Sequence, residues 1–222
     1  MESLDIPLFP LNTVLFPGMA LPLHIFEERY LQMVDECLSG TRQFGVVLAQ
    51  PDEDAELQGH GIGTSALITH VERLEDGHLD IFTAGLERFK VLDWTRTEPY
   101  AVARIEPFPL EGTQAQELVG LVKVASGYFV RYLRLAGDVL GTVIRVESAP
   151  QDASTLAYMM AIALQISNEE KQGLLSVASL PALLWKEAVI LSREETLLGR
   201  MKVVQESQVG YVRGVRDYLS LN

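Results

Sequence analysis

The sequence is poor in cysteine and lacks long apolar runs. Its 222 residues contain one cysteine, Cys37, so no internal disulfide can form. No stretch reaches the 18 or so consecutive apolar residues of a membrane-spanning helix. The composition, 48% hydrophobic and 22% charged, is that of a globular chain. We therefore expect a cytoplasmic protein with an apolar core, no membrane association and a buried Cys37.

Basic charge is scarce as well, above all in the first half. The chain carries 18 Lys+Arg against 30 Asp+Glu, a formal net charge of −12. Residues 1–110 hold 18 acidic and 7 basic residues, whereas residues 111–222 hold 12 and 11. Nucleic-acid binding requires clustered Lys and Arg, and anionic membrane surfaces attract basic segments. The charge therefore excludes both from the expected partners, and its asymmetry indicates two distinct regions.

Sequence motifs for catalysis are also missing. There is no G-x-x-x-x-G-K-[ST] phosphate loop, no G-x-S-x-G elbow, and none of the five lysines stands in a Ser–Lys context. The four histidines form no H-x-x-x-H pair and have no cysteine at zinc-ligand spacing. We expect no catalytic residue, no metal and no cofactor. His24 and His70 fall in predicted strands, and we expect that these two side chains can meet in space.

Extended segments separated by turn residues fill the first half of the chain. Pro22 indicates an edge strand or a bulge, Gly85 a bulge, and Asp76-Gly77 a two-residue type I′ hairpin turn. The charged stretch 51–56 is predicted to be a loop. We predict one helix at 27–38 and strands at 6–11, 19–26, 44–49, 65–74, 79–92 and 100–105.

Apolar residues recur at helical spacing after Pro109. Asp152 is a predicted N-cap, Ser167 or Asn168 is predicted to start the next helix, and Pro181 suits the first turn of a helix. Such amphipathic helices are stable only when they bury their apolar stripes on one another. We therefore predict a β-rich lobe at 1–110 and an α-helical bundle lobe at 111–222. The predicted helices are 118–132, 153–166, 168–177 and 180–208, and residues 209–222 stay ambiguous.

The opening of the chain resembles a known family. It reads IPLFPLN at 6–12, LFPG at 15–18 and LPLHIFEERY at 21–30. This pattern is similar to the start of the Lon protease amino-terminal domain, also called the Lon substrate-binding domain. Ala66–Ile68, Gly85–Phe89 and Glu169–Leu175 resemble later segments of that family, so the similarity extends over about residues 4–205.

The resemblance implies both a fold and a role. The fold is α+β, a β-rich PUA-like pseudobarrel lobe followed by an α-helical bundle lobe. In full-length Lon this domain helps to recognise protein substrates, while separate ATPase and Ser–Lys protease domains follow it. This sequence contains the motifs of neither. The resemblance therefore implies a non-catalytic module that binds unfolded polypeptides or partner proteins.

The proline-spaced opening supplies the candidate binding residues. Prolines cannot complete a β ladder, so we expect apolar side chains to be exposed beside an open edge. Arg29 is expected to pair either with a substrate carboxylate or with Glu27 or Asp35. A structural adaptor or self-associating scaffold, acting through the helical half, is the alternative function, and a small-ligand cleft is a third. The candidate polypeptide-binding residues are Phe16, Met19, Leu21, Phe26, Arg29 and Tyr30.

Overall fold

The described part of the chain combines a sheet with helices. The computed structural model describes residues 4–50, 61–114, 118–144 and 149–219, with side chains described as far as Val204. The strands in these ranges are β1 (Leu4–Leu11), β2 (Ala20–Ile25), β3 (Gln43–Leu48), β4 (Ile62–Arg73), β5 (Leu79–Arg96) and β6 (Val102–Pro107). The helices are α1 (Glu28–Ser39), α2 (Leu118–Leu140), α3 (Ala153–Ala163), α4 (Asn168–Leu175) and α5 (Leu180–Leu219). The predicted α+β class is confirmed.

The six strands form one sheet that closes on itself. Their order is β2-β5-β4-β3-β1-β6, and β6 also pairs with the second half of β5. Five strands thus make a ring, in which β1 and β3 are parallel and the other pairs antiparallel. Strand β2 lies outside this ring and pairs with the first half of β5, at residues 79–84. As Pro22 predicts, β2 is an edge strand.

Apolar side chains fill the interior of the sheet, and two glycines make room for them. Phe89 is 2% exposed, and its ring lies against Gly63 on the adjacent strand β4 and Gly45 on the next strand, β3. A Cβ atom added at Gly45 would lie 2.7 Å from Phe89 Cζ. One added at Gly63 would lie 2.6 Å from the same atom and closer still to the Val46 carbonyl oxygen. The packing therefore depends on the absence of side chains at both positions.

The β4–β5 hairpin differs from its predicted geometry. Gly77 has φ +86°, but Asp76 does not adopt a positive φ, so the type I′ turn is wrong. The Gly77 N–H donates to Leu74 O and the Leu74 N–H to His78 O, which makes a three-residue loop. A type I turn followed by a left-handed glycine satisfies this loop with only one positive φ. The predicted bulge at Gly85 is confirmed by the irregular pairing of β4 and β5 at this point.

The chain separates into two compact units. One comprises residues 1–111 and 161–179, and the other residues 112–160 and 180–222. Helix α4 therefore belongs to the unit of the sheet, although the sequence groups it with the helical lobe. Arg88, 3% exposed, explains this location, because its Nη1 donates to Leu175 O at 2.7 Å and to Val177 O at 2.6 Å. Gln172 Nε2 also donates to Ile62 O at 3.0 Å.

In the second unit, α2 and α5 pack side by side and parallel. Arg131 bonds Glu195 at 3.3 Å, and about two turns farther along both helices Asp138 bonds Lys202 at 2.8 Å. Both helices therefore run in the same direction along the contact. None of the described helices is long and apolar enough to span a membrane.

The helix boundaries test the predicted caps. Asp152 accepts from the Thr155 N–H at 2.8 Å, which confirms this cap. Of the two residues predicted to start α4, Ser167 is the cap, and its side chain accepts from the Glu170 N–H. Helix α3 ends at Ala163, three residues early, and α2 runs to Leu140, past the predicted end. The predicted loop at 51–56 lies outside the described residues. The backbone of α5 is helical to Leu219, into the stretch that the sequence leaves ambiguous.

A buried carboxyl group lies on α5. Glu187 is 0% exposed, between the buried turns of Leu183–Leu184 and Ile190–Leu191. Neither of its carboxyl oxygens has a hydrogen-bond partner among the described residues. Burial raises the pKa of Glu187 well above its ordinary value of 4.5. Burial therefore favours the protonated form, and a carboxyl group buried without a hydrogen-bond partner destabilises the fold.

Substitution of Gly63 by alanine tests the packing around Phe89. We expect Gly63→Ala to lower the free energy of unfolding by about 1–3 kcal/mol, because the new methyl group overlaps Phe89 and the Val46 carbonyl. Gly61→Ala is the matched control, since its Cβ would meet nothing within 4 Å. Urea unfolding followed by circular dichroism measures both. Equal stabilities of the two variants would contradict the packing argument.

Replacement of Glu187 by leucine tests the buried carboxyl group. The unfolded chain ionises this group near pH 4.5, whereas the folded chain keeps the proton to a higher pH. Its contribution to stability is therefore largest below pH 4.5 and is lost as the pH rises toward the folded pKa. We expect Glu187→Leu to be about 1–3 kcal/mol more stable than the native chain at pH 7. The difference, measured by urea unfolding, should grow as the pH rises above 4.5 toward the folded pKa, and a difference that does not change with pH would contradict this explanation.

Candidate functional site

Two of the six predicted binding residues lie in the core. Phe16 is 1% exposed and Tyr30 is 4% exposed. The Tyr30 ring packs against Phe9 with a centroid distance of 4.1 Å, and its burial raises the pKa of the phenol. Neither side chain is at the surface in this structure, because each faces the interior of the sheet unit. Their predicted contact with polypeptide is untested, and direct contact would require them to leave the core.

Three others occupy intermediate positions. Met19 and Leu21 are partly buried and pack against the core beneath β2. Arg29 bonds Glu27, with Nη2 2.6 Å from Oε2, and its guanidinium stacks on Tyr30 at 4.6 Å. The structure thus shows the intramolecular pair with Glu27, while Asp35 pairs with Arg73. Arg29 is engaged within the protein rather than pointing freely outward.

Phe26 is the predicted residue that is most exposed. It follows the end of β2, and 59% of it is accessible. Its ring stacks on His24 at a centroid distance of 6.0 Å and meets the edge of His78 at 6.2 Å. His24 and His78 are 5.3 Å apart. The histidine neighbour of His24 is therefore His78 from the hairpin, while His70 packs on Phe82.

Phe26 stands at one end of an exposed face of the sheet, which we call the outer β face. Its side chains come from three adjacent strands, β2, β5 and β4, and point away from the core. Two rows cross these strands. The members of the face are Pro22, Phe82 and His70 in one row, and His24, Asp80 and Glu72 in the next.

Strand alternation accounts for this face. On β5, Leu79, Ile81 and Thr83 are buried, so Asp80 and Phe82 project from the opposite side. Phe82 is 51% exposed, so about half of this residue is open to solvent on the outward side of β5. The pairing of β4 with β5 shifts between Ile68 and His70, which marks a bulge at Thr69. This bulge turns the His70 side chain outward, beside Phe82.

Hydrogen bonds orient the polar residues of the face. His24 Nδ1 lies 2.7 Å from Asp80 Oδ1, and His78 Nδ1 lies 3.0 Å from Asp76 Oδ2. Thr69 Oγ1 donates to Phe82 O at 2.9 Å and thereby fixes the backbone at the exposed ring. The surface therefore offers two aromatic rings and a proline among short, ordered polar contacts.

The sequence reasoning missed Phe82, and a signal for it was present. The segment Leu79-Asp-Ile-Phe-Thr alternates, and the buried set Leu79, Ile81 and Thr83 leaves Phe82 on the other face. The alternation thus predicts an exposed ring at Phe82, and exposed apolar area is what a contact surface is built from when several such residues lie together. The proximity of His24 and His78 had no such signal, because it depends on the pairing of β2 with β5.

Exposed apolar residues also line a groove in the helical unit. The groove, about 340 Å³, lies between α2 and α5. Trp185 is 63% exposed, Val124 53% and Val189 50%. No lining residue is charged; they are Leu121, Val124, Tyr128, Leu184, Trp185, Ala188, Val189 and Ser192.

The described residues include one cysteine and several side chains of the kinds that ligate metals. Among the described residues, no three His, Cys, Asp or Glu side chains come together as a metal site requires. Cys37 is buried, as predicted, and its thiol donates to Gln43 O at 3.3 Å. Burial raises the pKa of the Cys37 thiol to about 11, so the group is protonated at neutral pH.

Comparison with known proteins decides the family. The family model described as the ATP-dependent protease La (LON) substrate-binding domain matches residues 5–193. The chain belongs to the Lon substrate-binding domain family. The resemblance carried by the opening motif is thereby confirmed over most of the chain.

Solved structures of Lon amino-terminal domains share the fold. The N-terminal domain of Mycobacterium avium complex Lon protease superposes with a TM-score of 0.62 at 20% identity, covering 86% of this chain and 98% of that one. The Lon N-terminal domain protein from Xanthomonas campestris gives a TM-score of 0.58 at 24% identity, covering 82% and 96%. These similarities confirm the predicted lobe types.

Sequence relatives are much longer than this chain. The Lon protease of Roseiflexus castenholzii is 29% identical over 204 residues, which are 90% of this chain and 25% of that protein. Lon protease 2 of Herpetosiphon aurantiacus is 26% identical over 200 residues, which are 88% of this chain and 24% of that protein. The chain thus spans about a quarter of the curated relatives it matches. The family model places this shared part in the Lon substrate-binding domain.

Proposed function

We propose that this Lon substrate-binding domain is a non-catalytic module that binds polypeptides in the cytoplasm, and that the outer β face is its docking surface. The observation that carries the proposal is the exposure of two aromatic rings, Phe26 and Phe82, beside the edge strand β2. The family match, which covers a substrate-binding domain, supports a role in recognition rather than catalysis.

The open edge of β2 and the exposed rings of the outer β face suit the binding of an extended polypeptide. Strand β2 pairs only with β5 among the described residues, so its other edge is available for a further strand or loop. An apolar side chain laid on Phe26 or Phe82 removes both surfaces from water and gains about 1.5–3 kcal/mol. Such contacts tolerate many sequences, because they require apolar area rather than one hydrogen-bond pattern.

The other predicted residues take a supporting part in this proposal. Met19 and Leu21 pack between β2 and the core and hold the strand in place. Tyr30 and Arg29 stack on each other at the start of α1, directly after Phe26, and fix the direction of the chain there. Phe16 anchors the turn before β2. Of the six, Phe26 makes the direct contact.

Removal of the two exposed rings tests the docking surface. We expect Phe26→Ser with Phe82→Ser to weaken binding of a fluorescently labelled, permanently unfolded test polypeptide at least tenfold, because about 1.5–3 kcal/mol is lost per ring. Fluorescence anisotropy measures the Kd, and circular dichroism checks the fold.

The matched control removes two exposed apolar residues elsewhere on the sheet. Leu4 is 60% exposed and Leu92 46% exposed, and neither belongs to the outer β face. Leu4→Ser with Leu92→Ser should leave the Kd within about twofold of the native value. If the two double variants and the native chain bind with equal affinity, the outer β face is not the docking surface.

A second candidate function is that of a structural adaptor or self-associating scaffold. The uncharged groove between α2 and α5, with Trp185 63% exposed, favours it. In that case the native chain should be a dimer or larger by light scattering at micromolar concentration, and Trp185→Ala should be monomeric. A monomeric native chain would remove self-association and leave only docking on a different folded partner.

A further inference from the structure

The outer β face has an acidic row beside its aromatic row. Glu72 on β4 and Asp80 on β5 are cross-strand neighbours, and both side chains point outward. Like charges in directly opposite positions repel each other and are destabilising on their own. His24, on the far side of Asp80, contacts only one of the two carboxylates. The row therefore carries excess negative charge next to the exposed Phe82.

Basic residues close to the face in sequence do not neutralise this row. Arg29 bonds Glu27, and Arg73, the residue after Glu72, bonds Asp35 on α1. The hairpin adds Glu75 and Asp76 to the same end of the sheet. No residue of the face is Lys or Arg, and the charge of residues 1–110 is strongly acidic. The face is thus electrostatically complementary to a cation.

We infer that the outer β face selects extended polypeptides in which an apolar residue and a Lys or Arg stand two positions apart. This inference rests on the proposed function and specifies the substrate class. The rows of Phe82 and of Asp80 with Glu72 are two residues apart along the strands, or about 7 Å. Side chains on one face of an extended peptide have the same spacing, so one reaches the ring while the next reaches the carboxylates.

The same geometry discriminates against acidic segments. An Asp or Glu placed over Asp80 and Glu72 would bring a third negative charge into the row. Because the row is exposed, its preference is screened by salt. The aromatic contact is not screened, so apolar binding should persist at high ionic strength.

Three peptides that differ only in charge test the inference. Each peptide has twelve residues. On one face of the extended peptide, Phe or Leu alternates with a second residue two positions away. This second residue is Lys in the first peptide, Ser in the second and Glu in the third. Fluorescence anisotropy in 25 mM salt should give the Lys peptide a Kd at least tenfold below that of the Glu peptide, with the Ser peptide between them. In 300 mM salt the difference should fall below threefold.

Variants of Glu72 and Asp80 test whether these carboxylates cause the preference for the Lys peptide. Glu72→Gln alone and Glu72→Gln with Asp80→Asn should progressively reduce the Lys-over-Glu preference, measured on each variant as the ratio of the Glu-peptide Kd to the Lys-peptide Kd. Asp93→Asn is the control, because it removes an exposed carboxylate from the far half of β5. Circular dichroism checks that each variant is folded.

The outcomes separate the inference from the proposed function. Equal binding of the three peptides, or a preference that survives Glu72→Gln and its double variant, overturns the inference and leaves polypeptide binding in place. A preference lost equally in Asp93→Asn overturns it too, since net charge alone would then explain it. If no peptide binds and the unfolded test polypeptide does not bind either, the proposed function itself fails.

Discussion

The pairing of the long strand β5 is the constraint on which the structure depends. One edge of this 18-residue strand pairs with β4, while β2 pairs with its first half and β6 with its second half. The pairing with β6 closes the ring, and the pairing with β2 adds a strand that the ring does not enclose. The exposed edge and the outer β face both result from this division.

The residues of β5 that are buried on one side of the sheet determine which residues lie exposed on the other side. Leu79 and Ile81 must face the core, so period-two alternation sends Asp80 and Phe82 outward. Within the described face, the exposed Phe82 ring has two neighbours, His70 and the cross-strand residue Pro22. The proposed docking surface combines this exposed ring with an edge strand and an acidic row, and the family model that matches the chain describes a substrate-binding domain.

The sequence predicted local features better than spatial neighbours. Caps at Asp152 and Ser167, the bulge at Gly85 and the edge position of Pro22 all follow from the chemistry of a few adjacent residues. The type I′ turn at Asp76-Gly77 was wrong, because a glycine after a type I turn also closes a hairpin. The apolar pattern that predicts Phe16 and Tyr30 as binding residues does not distinguish inward from outward faces before the strand pairing is known. The meeting of His24 with His78 likewise depends on that pairing.

Hydrogen exchange at the backbone amides is the most direct test of polypeptide docking at β2. The exchange of the free chain should be compared with that of the chain saturated with an unfolded test polypeptide. The account predicts slower exchange in Ala20–Ile25 and Leu79–Ala84, the strands that form the edge and the outer β face, with little change in α2 and α5. Protection confined to α2 and α5, with β2 unchanged, would contradict it.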